Sequence, residues 1–384
     1  MDAADLTTAN TLADLLRARQ PVTAADVAKA EDLLARYPEE KPVRTILAEL
    51  LLAAALQEQT QRRFPQAVVH LRRAAAVWPE SARPRLALLD VMLEASDWSA
   101  AEAAAREALA LDPRSPEAWR GLGYALLRQD RNREAEQALR SALELREDGW
   151  ARGLLERLQK QATDERGMRE QKLARFNVRY DGTAHDDVGR EILRTLERHY
   201  ATLARVLDHE VKAPIPVVLF TEQSYYDATG APAWSGGQYD HFDGRVRIPI
   251  GGLTPALTSD IDDVLIHELT HAFVADRSGG KAPRDIHEGL AQYMEGKRIA
   301  RLLSDEQATA LASGRVTGVG GFYLGALAFV EYLIAVRGQG GVNDLLKAMA
   351  ETGDVDEAFR GVYGRDHEGT SEAWRRRFRQ QQGS

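Results

Sequence analysis

The chain has 384 residues, of which 44% are hydrophobic and 28% charged, and its formal net charge is −8. This length suggests about two or three domains, and the composition excludes a chain that is disordered throughout, while the negative charge argues against a general nucleic-acid or membrane-surface binder. There are no cysteines, which excludes disulfides and thiolate metal sites, so any metal must be held by histidines and carboxylates.

The N-terminal segment lacks the basic stretch followed by an apolar stretch that marks a signal peptide, so no signal peptide is predicted. The longest apolar runs, such as residues 46–56, which are interrupted by Glu49, are too short to cross a bilayer. No membrane span is therefore expected. The lack of cysteine suits a periplasmic protein as well as a cytosolic one, so both compartments stay open.

Three segments of the N-terminal half, residues 47–80, 81–114 and 115–148, align without gaps at a period of 34 residues. The shared columns are Ala67, Ala101 and Ala135; Ala74, Ala108 and Ala142; Leu71, Ala105 and Leu139; and Val77, Leu111 and Leu145. Small residues recur where the two helices of a hairpin approach closely, and larger apolar residues recur on faces that stack on neighbouring hairpins.

In period and residue type these units resemble the tetratricopeptide repeat, with residues 115–148 as the best example and residues 23–38 as half of a more degraded unit. An ordinary bundle of alanine-rich helices is the alternative. The resemblance implies an α-solenoid over residues 1–160, whose concave face binds a protein partner. This inference concerns the fold and names no particular partner.

The pattern changes after about residue 150. A closing helix and linker are predicted over residues 149–174, followed by a strand over 175–180, a helix over 184–208 and a buried strand over 214–220. Strands interleaved with helices indicate an α+β domain over residues 161–384. The predicted fold is thus an α-rich protein of two domains, an α-solenoid followed by an α+β domain.

A loop rich in Gly, Trp and Tyr is predicted over residues 224–243, and helices are predicted over most of residues 257–362. Between them, residues 244–250 are interpreted as an edge strand, because Pro249 has no backbone N–H and cannot donate to ladders on both sides. An extended peptide could add beside such an edge. His241 could reach this peptide, although a lone histidine in a polar loop is more often simply exposed.

The motif VLIHELTHAF, residues 264–273, is the central chemical feature of the sequence. His267 and His271 are one helical turn apart, so both imidazoles lie on one face of the helix and can ligate one ion. Neutral imidazole suits Zn²⁺. Glu268 points to the side of this pair, where it can act as a general base toward water rather than as a ligand.

A catalytic zinc site uses three protein ligands and keeps a fourth position open. The residues directly after the motif offer no third histidine, so the third ligand is expected on the next predicted helix, residues 285–296. Glu288 is the candidate, seventeen residues beyond His271. An N-terminal capping pair with Asp285 is the alternative role for Glu288. His287 is a rival ligand that would face a different side of the helix.

HELTH followed by EGLAQY resembles the thermolysin-like gluzincins, and more narrowly the bacterial peptidase MA-like domains that are often found with tetratricopeptide repeats. The resemblance covers roughly residues 172–382 and includes RFNVRYDG, the GGQYD and GRVRIP segments and GGFYLGALAFVEYL. It implies a zinc-peptidase domain with one Zn²⁺ per chain and Glu268 as catalytic base. The implied metal ligands are His267, His271 and Glu288.

Two positions depart from that family pattern. Asp285 stands where these domains commonly carry an aromatic residue, and position 292 is Gln rather than an acid that would orient a ligand histidine. A weaker set of supporting contacts around the ligands is therefore expected to lower metal affinity or activity.

Peptide hydrolysis also needs a hydrogen-bond donor for the oxyanion of the tetrahedral intermediate. Tyr323 is the candidate, because it follows Gly320 and Gly321 at the start of a predicted helix, and related gluzincins use a Tyr or His from this side of the cleft. A role as a core aromatic residue is the alternative. Tyr239 and Tyr293 are weaker candidates for the donor.

The sequence therefore predicts a zinc-dependent peptidase that acts on protein or peptide substrates, with the repeats recruiting a substrate or partner. An endopeptidase is favoured over an aminopeptidase, because no acidic pair is evident that would bind an N-terminal amine. The alternative is a repeat-based binding or assembly protein whose peptidase domain is inactive. The presence of all four primary residues favours the enzyme.

Overall fold

The computed structural model describes residues 1–180, 186–231, 236–250, 261–313, 315–316 and 318–382. The chain divides into two compact units, Met1–Gln159 and Lys160–Ser384. The described part of the first unit is helical, whereas the second unit combines helices with a five-stranded sheet.

The first unit is a series of consecutive helical hairpins. Its helices are α1 (Ala3–Arg17), α2 (Ala24–Arg36), α3 (Lys41–Thr60), α4 (Phe64–Val77), α5 (Arg83–Glu94), α6 (Trp98–Leu111), α7 (Pro116–Arg128), α8 (Asn132–Leu145) and α9 (Gly149–Asp164), which begins in this unit. Helices α3 and α4, α5 and α6, and α7 and α8 pack as hairpins, and each hairpin contacts the next. This arrangement is consistent with the predicted solenoid.

The 34-residue period is visible in both packing and backbone geometry. The six alanines of the two shared columns are all buried: Ala67, Ala74, Ala101, Ala108, Ala135 and Ala142. Arg62, Ser96 and Asp130, again 34 residues apart, adopt left-handed φ angles of 53°, 55° and 60° in the turn between the helices of each hairpin. A left-handed residue reverses the chain direction sharply. Each 34-residue repeat thus has the same turn and the same close contact between its two helices.

The second unit contains the following elements: β1 (Arg169–Lys172), β2 (Phe176–Tyr180), α10 (Asp186–Val206), β3 (Ile215–Phe220), α11 (Glu222–Thr229), β4 (Gln238–Asp240), β5 (Arg245–Pro249), α12 (Asp262–Arg277), α13 (Arg284–Met294), α14 (Ile299–Leu302), α15 (Asp305–Ala312), α16 (Gly318–Thr352), α17 (Val355–Tyr363) and α18 (His367–Gln382). The strands and the helix predicted over residues 175–180, 214–220 and 184–208 are present as β2, β3 and α10. Residues 184 and 185 lie outside the described part. The predicted linker contains a strand, β1, that the sequence pattern did not reveal.

The sheet has the strand order β1-β2-β3-β5-β4, with β2, β3 and β5 parallel and the two outer strands antiparallel to their neighbours. Every residue of β3 is buried because both faces of the sheet are covered. Val217 and Leu219 belong to the same core as α10 and α12, whereas Val218 and Phe220 pack with Tyr225 of α11.

The prediction that residues 244–250 form an edge strand is wrong, because β5 pairs with β3 on one side and with β4 on the other. Strand β4 pairs only with residues 245–247, so Pro249 lies beyond its end and opposes Phe220 of β3 alone. The missing N–H of Pro249 therefore costs no hydrogen bond to β4. The terminal strand of the sheet on this side is β4.

The predicted loop over residues 224–243 is also partly wrong. It contains most of α11 and all of β4, although residues 232–235 lie outside the described part of the chain. Strand β4 is only three residues long and its alternation is too short to be recognised in sequence. Its pairing with β5 places Tyr239 opposite Val246.

Helix α12 is buried on two sides, which explains why its sequence is almost continuously apolar around the polar motif. Leu265 and Leu269 pack into the core formed with the sheet and α10. Val274 packs into a second core with Ile286 of α13 and Leu327 of α16. The helix that carries the motif is therefore held between the sheet and the C-terminal helices.

Among the described helices, α16 is long and apolar enough to span a membrane on length and composition alone. The helix is interrupted at Gly338, whose φ of 69° and ψ of −179° are not helical. On either side of this break, Val330 and Leu346 are fully buried in the core that also includes Trp374 of α18. Burial in this core thus explains part of the apolar character of α16.

An ion pair joins α18 to the start of α13, where His367 Nε2 lies 2.8 Å from Asp285 Oδ2. The hydrogen bond to Asp285 raises the pKa of His367, and burial opposes this effect. A histidine pKa that is higher in the folded state stabilises the fold fully below the unfolded-state value of about 6.5. This stabilisation is lost as the pH rises through the folded-state pKa.

We therefore expect His367→Asn to destabilise the protein more at about pH 5 than at about pH 9, by about 1 kcal/mol. Loss of the ring contacts of His367 with Phe329 and Phe359 is independent of pH and cancels in this difference. Urea unfolding of the parent and the variant at both pH values measures it. In an Asp285→Asn background, His367→Asn should show no such difference between the two pH values. An equal destabilisation of the parent by His367→Asn at both pH values would contradict the prediction.

Candidate metal centre

Helix α12 presents two histidines one turn apart on the face that borders a cavity. The rings of His267 and His271 have centroids 4.8 Å apart and are nearly perpendicular, at 83°. Their side chains are only 18% and 9% exposed. Because the helix is buried against the sheet and the C-terminal helices, both imidazoles are largely shielded from solvent.

Glu288, in the second turn of α13, brings its carboxylate to this pair. Its Oε2 atom lies 3.5 Å from His267 Nε2 and 3.8 Å from His271 Nε2. One ligand atom from each of the three residues lies within 4.8 Å of the other two. Zinc bonds of about 2.0–2.1 Å place neighbouring tetrahedral ligands about 3.3 Å apart. The two distances from the Glu288 carboxylate to the imidazole nitrogens are therefore close to that spacing.

The Glu288 carboxylate is otherwise poorly satisfied. Its Oε2 is buried and has no hydrogen-bond partner among the residues that the structure describes. Leaving a buried carboxylate oxygen unpaired is energetically costly. A divalent cation between this oxygen and the two imidazoles would remove that cost, and a set of two imidazoles and one carboxylate fits Zn²⁺.

Two alternatives concern the start of α13: a capping role for Glu288 and metal ligation by His287. Helix α13 has Pro283 as its N-cap and no side-chain capping hydrogen bond, so the capping role for Glu288 is wrong. Asp285 instead pairs with His367. His287 is buried but is not part of the three-residue cluster: its ring centroid lies 4.5 Å from that of His241 and 5.5 Å from that of His271, and its Nδ1 has no hydrogen-bond partner in the described structure.

Glu268 is buried beside the same pair and contacts β4. A Cβ atom on Gly237 would lie 2.9 Å from Glu268 Cγ, so the absence of a side chain there lets the β4 segment approach the carboxylate. Burial raises the pKa of Glu268 to about 7, and a hydrogen bond from the backbone of Tyr239 opposes this shift. A carboxylate with a pKa near 7 can both accept and return a proton at neutral pH.

The two histidines experience different electrostatic environments. Burial holds the pKa of His271 well below its usual value, so its ring is neutral, as a metal ligand must be. Burial also disfavours protonation of His267, but the carboxylates of Glu288 and Glu295 outweigh it and raise its pKa to about 10. The carboxylates thus create a negative potential at the ring nitrogens, which favours a bound cation.

A cavity of about 720 Å³ opens in front of these side chains, bordered by β4, α12, α13 and the start of α16. Tyr323 lines it, and burial raises the pKa of its hydroxyl, which therefore stays protonated at neutral pH and can donate a hydrogen bond. Tyr239 and His241 also line the cavity. Tyr293 is not among the described lining residues and packs instead under the guanidinium of Arg298.

The structure adds Glu295 to the site, which the sequence analysis did not identify. Its carboxylate hydrogen-bonds Nδ1 of His267 and also pairs with Lys297. Gln292, which stands where the gluzincin-like pattern has an acid, has a structural role of its own. Its amide donates to the backbone carbonyls of Glu288 and Tyr323, at 3.0 Å and 2.8 Å. Glu288, Gln292 and Glu295 follow a spacing of four and three residues, which puts them on one helix face and was the available signal.

Comparison with protein families matches a tetratricopeptide repeat to residues 92–158. This range contains the end of α5, all of α6, α7 and α8, and the first part of α9. The prediction of tetratricopeptide repeats is confirmed for this part of the chain. No curated protein matches the sequence.

The placement of Glu288 depends on an unusually close contact between α13 and α16 at Gly289. A Cβ atom there would lie 2.3 Å from the carbonyl oxygen of Ala326 and 2.5 Å from Val330 Cγ2. The obstacle is partly backbone, so the helices would have to move apart. Glu288, the preceding residue, would be displaced from the histidines.

We expect Gly289→Ala to lower the free energy of unfolding by about 1–3 kcal/mol, as overpacking usually does, and to weaken zinc binding. Chemical denaturation and a zinc titration measure the two effects. Gly361→Ala in α17 is the matched control, because an added methyl group there meets nothing within 4 Å and the helix gains intrinsic stability. Parent-like stability and zinc affinity in Gly289→Ala would show that the helix contact does not position Glu288.

Proposed function

We propose that the chain is a zinc-dependent endopeptidase whose metal ligands are His267, His271 and Glu288. The observation that carries this proposal is the buried, unpartnered Oε2 of Glu288 facing the two Nε2 atoms at 3.5 Å and 3.8 Å. A zinc ion held there would supply Lewis-acid chemistry, polarising a carbonyl group and lowering the pKa of water. The resemblance of HELTH and EGLAQY to gluzincins agrees with this assignment.

Glu268 is the proposed proton-transfer residue. It is next to a ligand histidine in sequence but is not part of the three-ligand cluster, and its carboxylate borders the cavity. In the proposed reaction it accepts a proton from the attacking water and returns it to the leaving amine. A pKa near 7 suits both steps, because neither protonation state is strongly disfavoured at neutral pH.

The substrate is proposed to be an extended polypeptide that runs beside β4. This terminal strand borders the cavity, and its neighbour Gly237 lies against Glu268. A peptide aligned with the strand would bring a carbonyl group past the carboxylate and toward the histidines. The strand proposed to align the substrate is thus β4 and not β5, the strand that the sequence predicted for this role.

The repeats in the first unit favour protein binding as a second role beside peptide-bond hydrolysis. Tetratricopeptide repeats generally bind protein partners, and the family match covers residues 92–158. We propose that they recruit a protein substrate for cleavage. The alternative is a binding or assembly protein without peptidase activity, which makes the opposite prediction for the experiment below.

Purified parent protein is expected to bind about one zinc ion per chain and to hydrolyse a denatured protein such as casein. His267→Ala should lose the metal, because only two ligands remain. Glu268→Gln should keep the zinc while its hydrolysis falls by at least about 10²-fold, because proton transfer is lost. Metal analysis and a casein cleavage assay on the same preparations measure both properties.

Glu268→Gln is the diagnostic variant, since it separates binding from chemistry. Cleavage by this variant at the parental rate would rule out the proposed mechanism. A parent that binds zinc but cleaves no peptide bond would instead favour the binding-protein alternative. His70→Ala, on α4 of the first unit, serves as a control for the loss of a histidine remote in sequence from the motif.

Tyr323 is the proposed donor to the oxyanion. Its backbone carbonyl accepts a hydrogen bond from Gln292, which fixes the start of α16 beside α13, and its side chain lines the cavity. Tyr323→Phe should reduce kcat by about 10²-fold while zinc content and stability stay parental. Steady-state kinetics with metal analysis tests this. An unchanged kcat would assign Tyr323 to the core aromatic role.

A further inference from the structure

The two ring nitrogens of His267 contact different carboxylates. Nε2 faces Glu288 Oε2 at 3.5 Å, and Nδ1 is hydrogen-bonded to Oε1 of Glu295. An imidazole that binds a metal through Nε2 carries its proton on Nδ1, so an acceptor at Nδ1 selects this tautomer and orients the ring. The acceptor here is buried, since the Glu295 side chain is only 5% exposed.

The backbone holds Glu295 in a defined place at the end of α13. Glu295 is the C-cap of this helix, and Gly296 follows with a left-handed φ of 86°. The N–H of Gly296 donates to the carbonyl of Tyr293, and the N–H of Lys297 donates to that of Gln292, at 3.1 Å each. These two bonds form a Schellman motif, which terminates a helix in a fixed geometry.

This turn also brings Lys297 back to Glu295. Its ammonium group pairs with Oε2, the carboxylate oxygen that does not contact His267. The Lys297 side chain is 45% exposed and lines the same cavity as the histidines. Both oxygens of the buried carboxylate are therefore engaged, one by the histidine and one by the lysine, so the carboxylate cannot rotate without losing one contact.

Position 292 cannot perform this task. The Gln292 amide nitrogen donates to the carbonyls of Glu288 and Tyr323, so this side chain joins α13 to the start of α16. Its contacts thus stabilise the backbone around the site rather than a ligand ring. The carboxylate that reaches the histidine comes instead from the residue one turn further along the same helix face.

We propose that Glu295 is a positioning residue that orients His267 for metal binding, and that Lys297 orients Glu295 in turn. This inference rests on the proposed function, because it assumes that His267 is a metal ligand. In this proposal Glu295 takes the role that an acid at position 292 has in the gluzincin-like pattern. Neither Glu295 nor Lys297 contacts the reacting atoms in this account.

The test is the zinc affinity of the full chain, measured by competition with a chromophoric chelator and needing no substrate. Glu295→Gln keeps the size of the side chain but lacks the negative charge, and it should weaken zinc binding by about 10- to 100-fold. Glu295→Ala should weaken it at least as much. Lys297→Met should cause a smaller loss of about two- to tenfold, because Glu295 keeps its contact with His267.

Glu331→Gln is the matched control. Glu331 is a half-buried glutamate of α16 whose Oε1 accepts the N–H of Ile299, and it does not line the cavity. Its substitution should leave zinc affinity unchanged. A cobalt-substituted sample adds a spectroscopic readout: the visible absorption of Co²⁺ should shift in Glu295→Gln and stay parental in the control.

The outcomes separate the two proposals. A parent protein that binds no zinc at the histidines overturns the proposed function and this inference with it. A parent that binds zinc, with unchanged affinity and cobalt spectrum in Glu295→Gln, overturns the inference alone. If Glu295→Gln does not fold, as judged by circular dichroism, Lys297→Met decides: weaker zinc binding supports the inference, and parental affinity overturns it.

Discussion

The site depends on one electrostatic constraint, the burial of a Glu288 carboxylate oxygen against two imidazoles with no hydrogen-bond donor of its own. A protonated His267 ring, 3.5 Å away, offsets part of the cost of burying this oxygen, and a divalent cation that joined all three groups would offset it more fully. The surrounding fold enforces this arrangement: α12 is held between the sheet and the C-terminal helices, and α13 packs so closely on α16 that Gly289 has no room for a Cβ atom. The stability of these helix contacts is what keeps the three side chains together.

Burial and the nearby carboxylates give the titratable groups of this site different pKa values. Burial keeps His271 neutral and raises the pKa of Glu268 to about 7, whereas nearby carboxylates raise the pKa of His267 to about 10. One residue is thus suited to ligate, another to transfer protons, and the third sits where positive charge is most favoured. The proposed reaction needs this separation, because a base that was also a ligand could not move a proton freely.

Features that arise from local periodicity could be predicted from the sequence. The 34-residue repeat implies recurring helix contacts and turns, and Arg62, Ser96 and Asp130 show it in the backbone. The position of His267 and His271 on one helix face could also be predicted, because it requires only that this segment be helical. Contacts between distant segments leave a weaker trace in the sequence. Strand β4 has only three residues, too few for a recognisable alternation, and without it β5 has the pattern of an edge strand. Glu295 was missed because its contact with His267 joins residues 28 apart in the chain.

We propose that three side chains from α12 and α13 hold one zinc ion. The most direct test of this proposal is a crystal structure of the zinc-loaded protein with anomalous diffraction recorded at the zinc edge. The account predicts one strong anomalous peak about 2.0–2.2 Å from Nε2 of His267, Nε2 of His271 and a carboxylate oxygen of Glu288. A peak elsewhere, or a Glu288 carboxylate turned away from both imidazoles, would contradict it.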